Sequence, residues 1–207
     1  MAQTWDQVAA ERGALADDLA GLSRQEWETR SLCPRWSVHD VVAHLSATAS
    51  MTPPAFFLRF ARAGFNFDRF ADAAIADNRK ASPEQSLSRF RSLVTSRKSP
   101  PGPKTSWLGE TVVHAEDIRR PLGIGHQYDM DALRQVADFY KGSNALIGAK
   151  NRIAGLTLIA NDTSWTHGTG ERVEGPMLSL LMAMTGRSAG CDDLSGPGTH
   201  TLRSRCT

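Results

Sequence analysis

From Trp5 to Leu22 the apolar residues Trp5, Val8, Ala9, Leu15, Leu19 and Leu22 recur near helical spacing, with Asp6, Glu11, Arg12, Asp17 and Asp18 between them. This predicts a first amphipathic helix. A second is better marked. Ser37 stands as a cap, Asp40 at the third helical position, and Trp36 and Val41 where a hydrophobic staple packs. This helix is expected to run from Val38 to about Met51, before the break at Pro53-Pro54. The stretch Ala55 to Phe70, rich in phenylalanine, follows and is read as core or pocket wall.

Ser82-Pro83-Glu84 is a cap followed by a proline at the first helical position, and opens a helix through Leu87, Phe90, Leu93 and Val94. Ser99-Pro-Pro-Gly-Pro103 is a stiff connector. Thr105 or Ser106 then caps a helix expected to reach Arg120 and stop at Pro121-Leu122-Gly123. Four helices with short or stiff connections predict an antiparallel four-helix bundle. Beyond it the pattern is mixed, with a helix over Asp131 to Leu146, a strand within Arg152 to Ala160, and a helix from Met177 to Thr185 closed by Gly186. The expected architecture is mainly α: a bundle over residues 1–128 and a small α+β module over 129–207. No internal repeat is visible.

Apolar residues make up 41% of the 207-residue chain and charged residues 22%, enough to bury a sizeable core and unlike a disordered chain. The formal net charge of +2 is spread through mixed sequence, so no basic block points to nucleic acid. No apolar run approaches the roughly 20 residues that span a bilayer, and the first residues lack a cationic start and apolar core. The expectation is a cytoplasmic protein. Cys33, Cys191 and Cys206 are odd in number and far apart, with no metal-knuckle spacing, and are read as reduced thiols.

On a helix of about 100° per residue, Trp107, Glu110, Thr111, His114, Asp117 and Ile118 gather on one side, with Glu116, Arg119 and Arg120 on the other. Glu110 and His114 are one turn apart and aim at one place, a half-site for a divalent cation. The same spacing also fits a Glu–His hydrogen bond in the core, or a helix rotated to expose the pair. A third ligand must come from another helix, and His44 is the best placed of the histidines, at the border of the apolar stripe Val38, Val42, Leu45 and Ala49. His39 falls on the polar flank and is read as solvated. His126 and His167 are expected at the surface, and His200 in a frayed tail. Asp117 stands where it can orient a ligand, and equally where it can be a solvated or capping residue. Arg119, Arg120 and Arg187 are read as solvated charges, and Cys33 as a buried free thiol.

Trp36-Ser-Val-His-Asp-Val-Val-Ala-His44-Leu and Gly109-Glu-Thr-Val-Val-His114-Ala-Glu-Asp-Ile-Arg-Arg-Pro-Leu-Gly123 resemble the mycothiol-dependent maleylpyruvate isomerase family, part of the DinB-like metalloprotein superfamily. The resemblance implies that His44, Glu110 and His114 each supply one metal ligand. Gly175 to Arg187, with Asp193-Leu-Ser-Gly196, is similar to the small C-terminal module of many actinobacterial members. In the isomerase that module is larger and resembles a sterol-carrier fold; here it is shortened.

What the resemblance implies is one divalent metal ion, zinc first with nickel or iron as alternatives, and mycothiol as cosubstrate. The thiol would be activated to attack an electrophilic small molecule, giving an isomerase or an S-transferase. Two other classes stay open: a metal-dependent hydrolase, and a non-catalytic metal-stabilised protein holding a small apolar ligand. A monomer or a homodimer is expected, with no nucleic-acid or membrane partner.

Overall fold

The structure is a computed structural model that describes residues 2–144 and 147–206. The chain divides into two compact units, Met1–His126 and Gln127–Thr207.

The first unit contains α1 (Ala2–Ala20), α2 (Arg24–Trp27), α3 (Val38–Ser50), α4 (Pro53–Arg62), α5 (Phe67–Asn78), α6 (Pro83–Arg91) and α7 (Lys104–Leu122). Helices α1, α7, α3 and α6 pack in a closed ring, each against the next, which is the predicted four-helix bundle. Its core joins Leu15 and Leu19 of α1 to Val38, Val42 and Leu45 of α3, Phe90 of α6 and Ile118 of α7. The caps act as their sequence implies. Ser37 Oγ accepts from Asp40 N at 3.3 Å while Asp40 Oδ2 accepts from Ser37 N at 2.9 Å. Ser82 Oγ likewise accepts from Gln85 N, with Pro83 in the first turn of α6.

Several expectations change in this unit. The aromatic segment is not core: it forms the hairpin α4–α5, and α4 buries none of its residues. Its phenylalanines pack on one another instead, Phe60 on Phe67 at 4.4 Å between ring centres and Phe56 on Phe70 at 5.2 Å, leaving Phe57 and Phe65 exposed. Pro53 and Pro54, read as a break, also begin α4, because a first-turn proline lacks only an N–H that has no helical acceptor there.

His39 is buried, not solvated, because α5, α6 and α7 all pack around α3 and leave it little free face. Helix α7 starts at Lys104 after Pro103 with no side-chain cap, and it continues through Pro121 to Leu122. Proline lacks the N–H that would bond the Asp117 carbonyl, and that freed oxygen accepts a hydrogen bond from Leu32 N at 3.0 Å. The helix ends at Gly123, whose φ of 67° is a left-handed cap.

The second unit contains α8 (Met130–Tyr140), α9 (Ala149–Arg152), β1 (Leu156–Ala160), β2 (Thr166–Gly168), β3 (Glu171–Gly175), α10 (Met177–Met184), a 3-10 segment (Ser188–Asp193) and α11 (Thr199–Ser204). Strand β1 lies centrally, antiparallel to β2 and parallel to β3, with Leu158 opposite both His167 and Val173. The expected strand is thus present, its Leu156, Leu158 and Ala160 buried on one face. The helix expected from Asp131 ends at Tyr140, and the rest of that prediction reaches Ala145 and Leu146, outside the described residues. Helix α10 is apolar apart from Ser179 and buried almost throughout, in keeping with its place between α8, β1 and the 3-10 segment. The expected frayed tail is the helix α11, anchored by buried Leu202. Among the described residues no helix is long and apolar enough to cross a membrane.

Candidate metal centre

Helix α3 carries His44, and α7, packed against it, carries Glu110 and His114 one turn apart. One ligand atom from each of the three lies within 4.8 Å of the others. His44 Nε2 and Glu110 Oε1 are 3.0 Å apart, and the two imidazoles meet edge to face at 4.9 Å between centres. Trp36, just before α3, lies against His44 at 5.0 Å and His114 at 6.1 Å and walls one side of the cluster. The three side chains are mostly buried but keep 17%, 13% and 14% exposure, so the cluster opens toward solvent.

Asp117, one turn beyond His114 and fully buried, places Oδ2 2.8 Å from His114 Nδ1. A carboxylate there accepts the Nδ1 proton, which leaves Nε2 unprotonated as the free donor atom of the ring. The Cys33 thiol donates to the same oxygen at 3.1 Å. Its loop is fixed by the Leu32 bond to the Asp117 carbonyl, so the proline near the end of α7 helps to set the thiol beside the histidine. Cys33, His114 and Asp117 also converge closely enough to be a donor group of their own. Asp117 is satisfied by both neighbours, so we read this trio as the support that orients His114.

Arg12, absent from the sequence-level site, lies behind the cluster. It is 1% exposed and donates to the Ser96 carbonyl at 3.0 Å. Burial lowers its pKa, and the Glu110 charge opposes that shift. Burial in turn pushes the Glu110 carboxyl up, but the His44 hydrogen bond and the charges of His44, His114 and Arg12 outweigh it, holding Glu110 below the usual carboxylate range. Glu110 Oε2 is buried and has no hydrogen-bond partner. An ionised carboxylate with an orphaned buried oxygen beside two imidazoles is a donor set that fits a divalent cation. The clue to Arg12 was its place on the same helical stripe as Val8, Leu15 and Leu19.

The other candidates lie elsewhere. Arg119 is fully buried and paired with Asp18 at 2.7 Å, which corrects its reading as a solvated charge. Glu116 is buried too and accepts from Arg120 at 3.1 Å, because the far face of α7 packs on α1. His39 Nε2 lies 2.6 Å from Ser86 Oγ, and its Nδ1 faces Glu28 at 3.5 Å. His126 meets Glu11 at 2.9 Å, while Arg187 donates to the Thr185 carbonyl at the end of α10.

The family described as the mycothiol maleylpyruvate isomerase N-terminal domain matches residues 8–119, a span holding His44, Glu110, His114 and Asp117. The chain belongs to this family. Two solved structures are similar to this member of the mycothiol maleylpyruvate isomerase family, each covering 95% of it and 92% of its own chain. One is a histidine-to-alanine mutant of the mycothiol-dependent maleylpyruvate isomerase, at a TM-score of 0.65 and 14% identity. The other is the mycothiol-dependent maleylpyruvate isomerase, at 0.54 and 12%. At that identity the likeness is one of fold, and it extends over both units. No curated protein matches the chain.

Proposed function

We propose that this protein binds one divalent metal ion through His44, Glu110 and His114 and uses it to activate a low-molecular-weight thiol against an electrophilic small molecule. The observation that carries the reading is the convergence of the three donor atoms around Glu110, whose second oxygen is buried and has no hydrogen-bond partner. Family membership supports mycothiol as the thiol, and an isomerase or S-transferase as the reaction type.

A divalent cation at this place supplies Lewis acidity, which lowers the pKa of a thiol brought to it. The protein's own groups prepare the site. Asp117 holds the proton on His114 Nδ1 so that Nε2 is a lone-pair donor. Glu110 supplies the negative charge, which His44, His114 and Arg12 keep ionised despite burial. Trp36 shields one side of both imidazoles from water. Addition of the substrate thiolate to an unsaturated carbon, rotation about the resulting single bond and elimination of the thiol amount to cis–trans isomerisation. Displacement of a leaving group from the same carbon amounts to S-transfer.

The test is consumption of maleylpyruvate or another thiol-reactive electrophile by metal-loaded protein, with and without mycothiol. Turnover that needs both the thiol and the metal is expected, with loss of at least about 100-fold in Glu110→Gln. Equal turnover without thiol would move the reading to hydrolysis.

A further inference from the structure

Cys191 and Cys206 are separated in sequence yet neighbours in the second unit, where Gly190, next to Cys191, packs on Ala183 of α10 and the Cys206 sulfur lies 3.5 Å from the Ala183 carbonyl. Three sets of contacts hold them there. The 3-10 segment carrying Cys191 is locked onto α10 at Gly190, where an added Cβ would come 2.7 Å from Ala183 N and 2.8 Å from the Ser179 carbonyl. Arg203 of α11 reaches across to this segment on either side of Cys191, donating to Asp192 at 2.8 Å and to the Ser188 carbonyl at 3.5 Å. Beyond α11, Arg152 donates to the Arg205 carbonyl at 3.1 Å, and Arg205 donates back to the carbonyls of Arg152 and Ala154 at 2.8 and 2.7 Å. Cys206 Sγ sits between these clamps, 3.4 Å from the Leu202 carbonyl and 3.5 Å from that of Ala183.

The two sulfurs differ in access: Cys191 is 1% exposed, whereas Cys206 is partly open to solvent. We propose that Cys206 and Cys191 form a thiol–disulfide exchange site that takes a low-molecular-weight disulfide and ends as an intramolecular Cys191–Cys206 bond. Contact with the Cys191 thiol draws the Cys206 pKa down to about 7 against the effect of burial, with Arg152 and Arg203 adding to it. Cys191 is correspondingly raised, and because Cys206 is the thiol open to solvent it is the nucleophile, with buried Cys191 the resolver.

In the first step the Cys206 thiolate attacks one sulfur of the disulfide RSSR. A Cys206–SR bond forms, the S–S bond of RSSR breaks, and RS⁻ leaves to take a proton from water. Capping Cys206 removes the neighbouring negative charge that held the Cys191 proton. Cys191 then gives that proton to water and attacks Cys206 Sγ, releasing the second RS⁻. Two protein thiols are oxidised and one external disulfide is reduced to two thiols. The product ties α11 to the 3-10 segment. The site lies outside the metal cluster and does not depend on the reading of that cluster.

The experiment treats the full-length protein with glutathione disulfide at neutral pH, quenches with acid and maps thiols by mass spectrometry without reduction, scoring Cys33 separately. The wild type is expected to lose two hydrogens and to yield a peptide joining Cys191 to Cys206. Cys191→Ser should stop with one glutathione on Cys206. In Cys206→Ser, Cys191 should react at least about ten-fold more slowly than Cys206 does in Cys191→Ser. A wild type that keeps glutathione on Cys206 without forming the cross-link overturns the proposal, as does equal reactivity of the two single variants. The wild-type arm decides the matter even where a variant folds poorly.

Discussion

Asp117 Oδ2 lies 2.8 Å from His114 Nδ1, and its carboxylate is fully buried on the same helix. A carboxylate at that place favours the proton on Nδ1, and in the proposed reading Asp117 acts on the cluster through His114. Asp117→Asn is expected to weaken divalent-cation affinity by about 10- to 100-fold while leaving the three donor residues in place. Competition against a chromophoric chelator measures this, and wild-type affinity in the variant would remove Asp117 from the account.

His39 offers a pH test away from the cluster. The Ser86 hydroxyl accepts from Lys80 N at 3.2 Å and so can donate to His39 Nε2, which keeps the imidazole neutral. Burial, then the Arg79 charge, lowers the His39 pKa below its ordinary value, although Glu28 and Asp40 oppose them. The unfolded chain therefore binds more protons than the folded one as pH falls through about 6.5. Stability contributed by His39 is complete above that pH and is lost below it, toward the lower folded pKa. Chemical denaturation between pH 8 and pH 5 should show a shallower acid loss in His39→Gln than in the wild type; equal slopes would contradict the assignment.

The Arg119–Asp18 pair joins α7 to α1 with the guanidinium wholly inside. Removing the partner leaves a buried charge with less to neutralise it, a change of about 3 to 5 kcal/mol when both groups are buried. Asp18 keeps 25% exposure, so Asp18→Ala is expected to cost less, about 2 to 3 kcal/mol. Urea unfolding of the metal-free protein reads this directly. A cost below about 0.5 kcal/mol would mean that other contacts carry Arg119.

Much of this was legible because local rules agree with the global fold. Ser37 and Asp40, or Ser82 and Pro83, mark helix starts by chemistry that does not depend on tertiary contacts. Glu110 and His114 share a face by helical geometry alone, while the placing of His44 beside them needed the packing of α3 on α7. Misreadings arose where packing overrode local signals. His39 and Arg119 look solvated on a helical wheel, but α3 and α7 are each covered by more than one neighbour, and Ser86 and Asp18 give the buried side chains a partner. Pro121 reads as a stop, yet it falls where the Asp117 carbonyl has an acceptor role outside the helix. The six phenylalanines between Phe56 and Phe70 look like core in composition, and only the structure shows them packing within their own hairpin.

The central claim is that His44, Glu110 and His114 hold one divalent metal ion. It is tested most directly by elemental mass spectrometry of protein purified without chelators, wild type beside His114→Ala. The account predicts about one equivalent of a transition metal in the wild type and its loss in a variant that still folds. A wild type that carries no metal even after reconstitution, or a His114→Ala protein that retains a full equivalent, would contradict it.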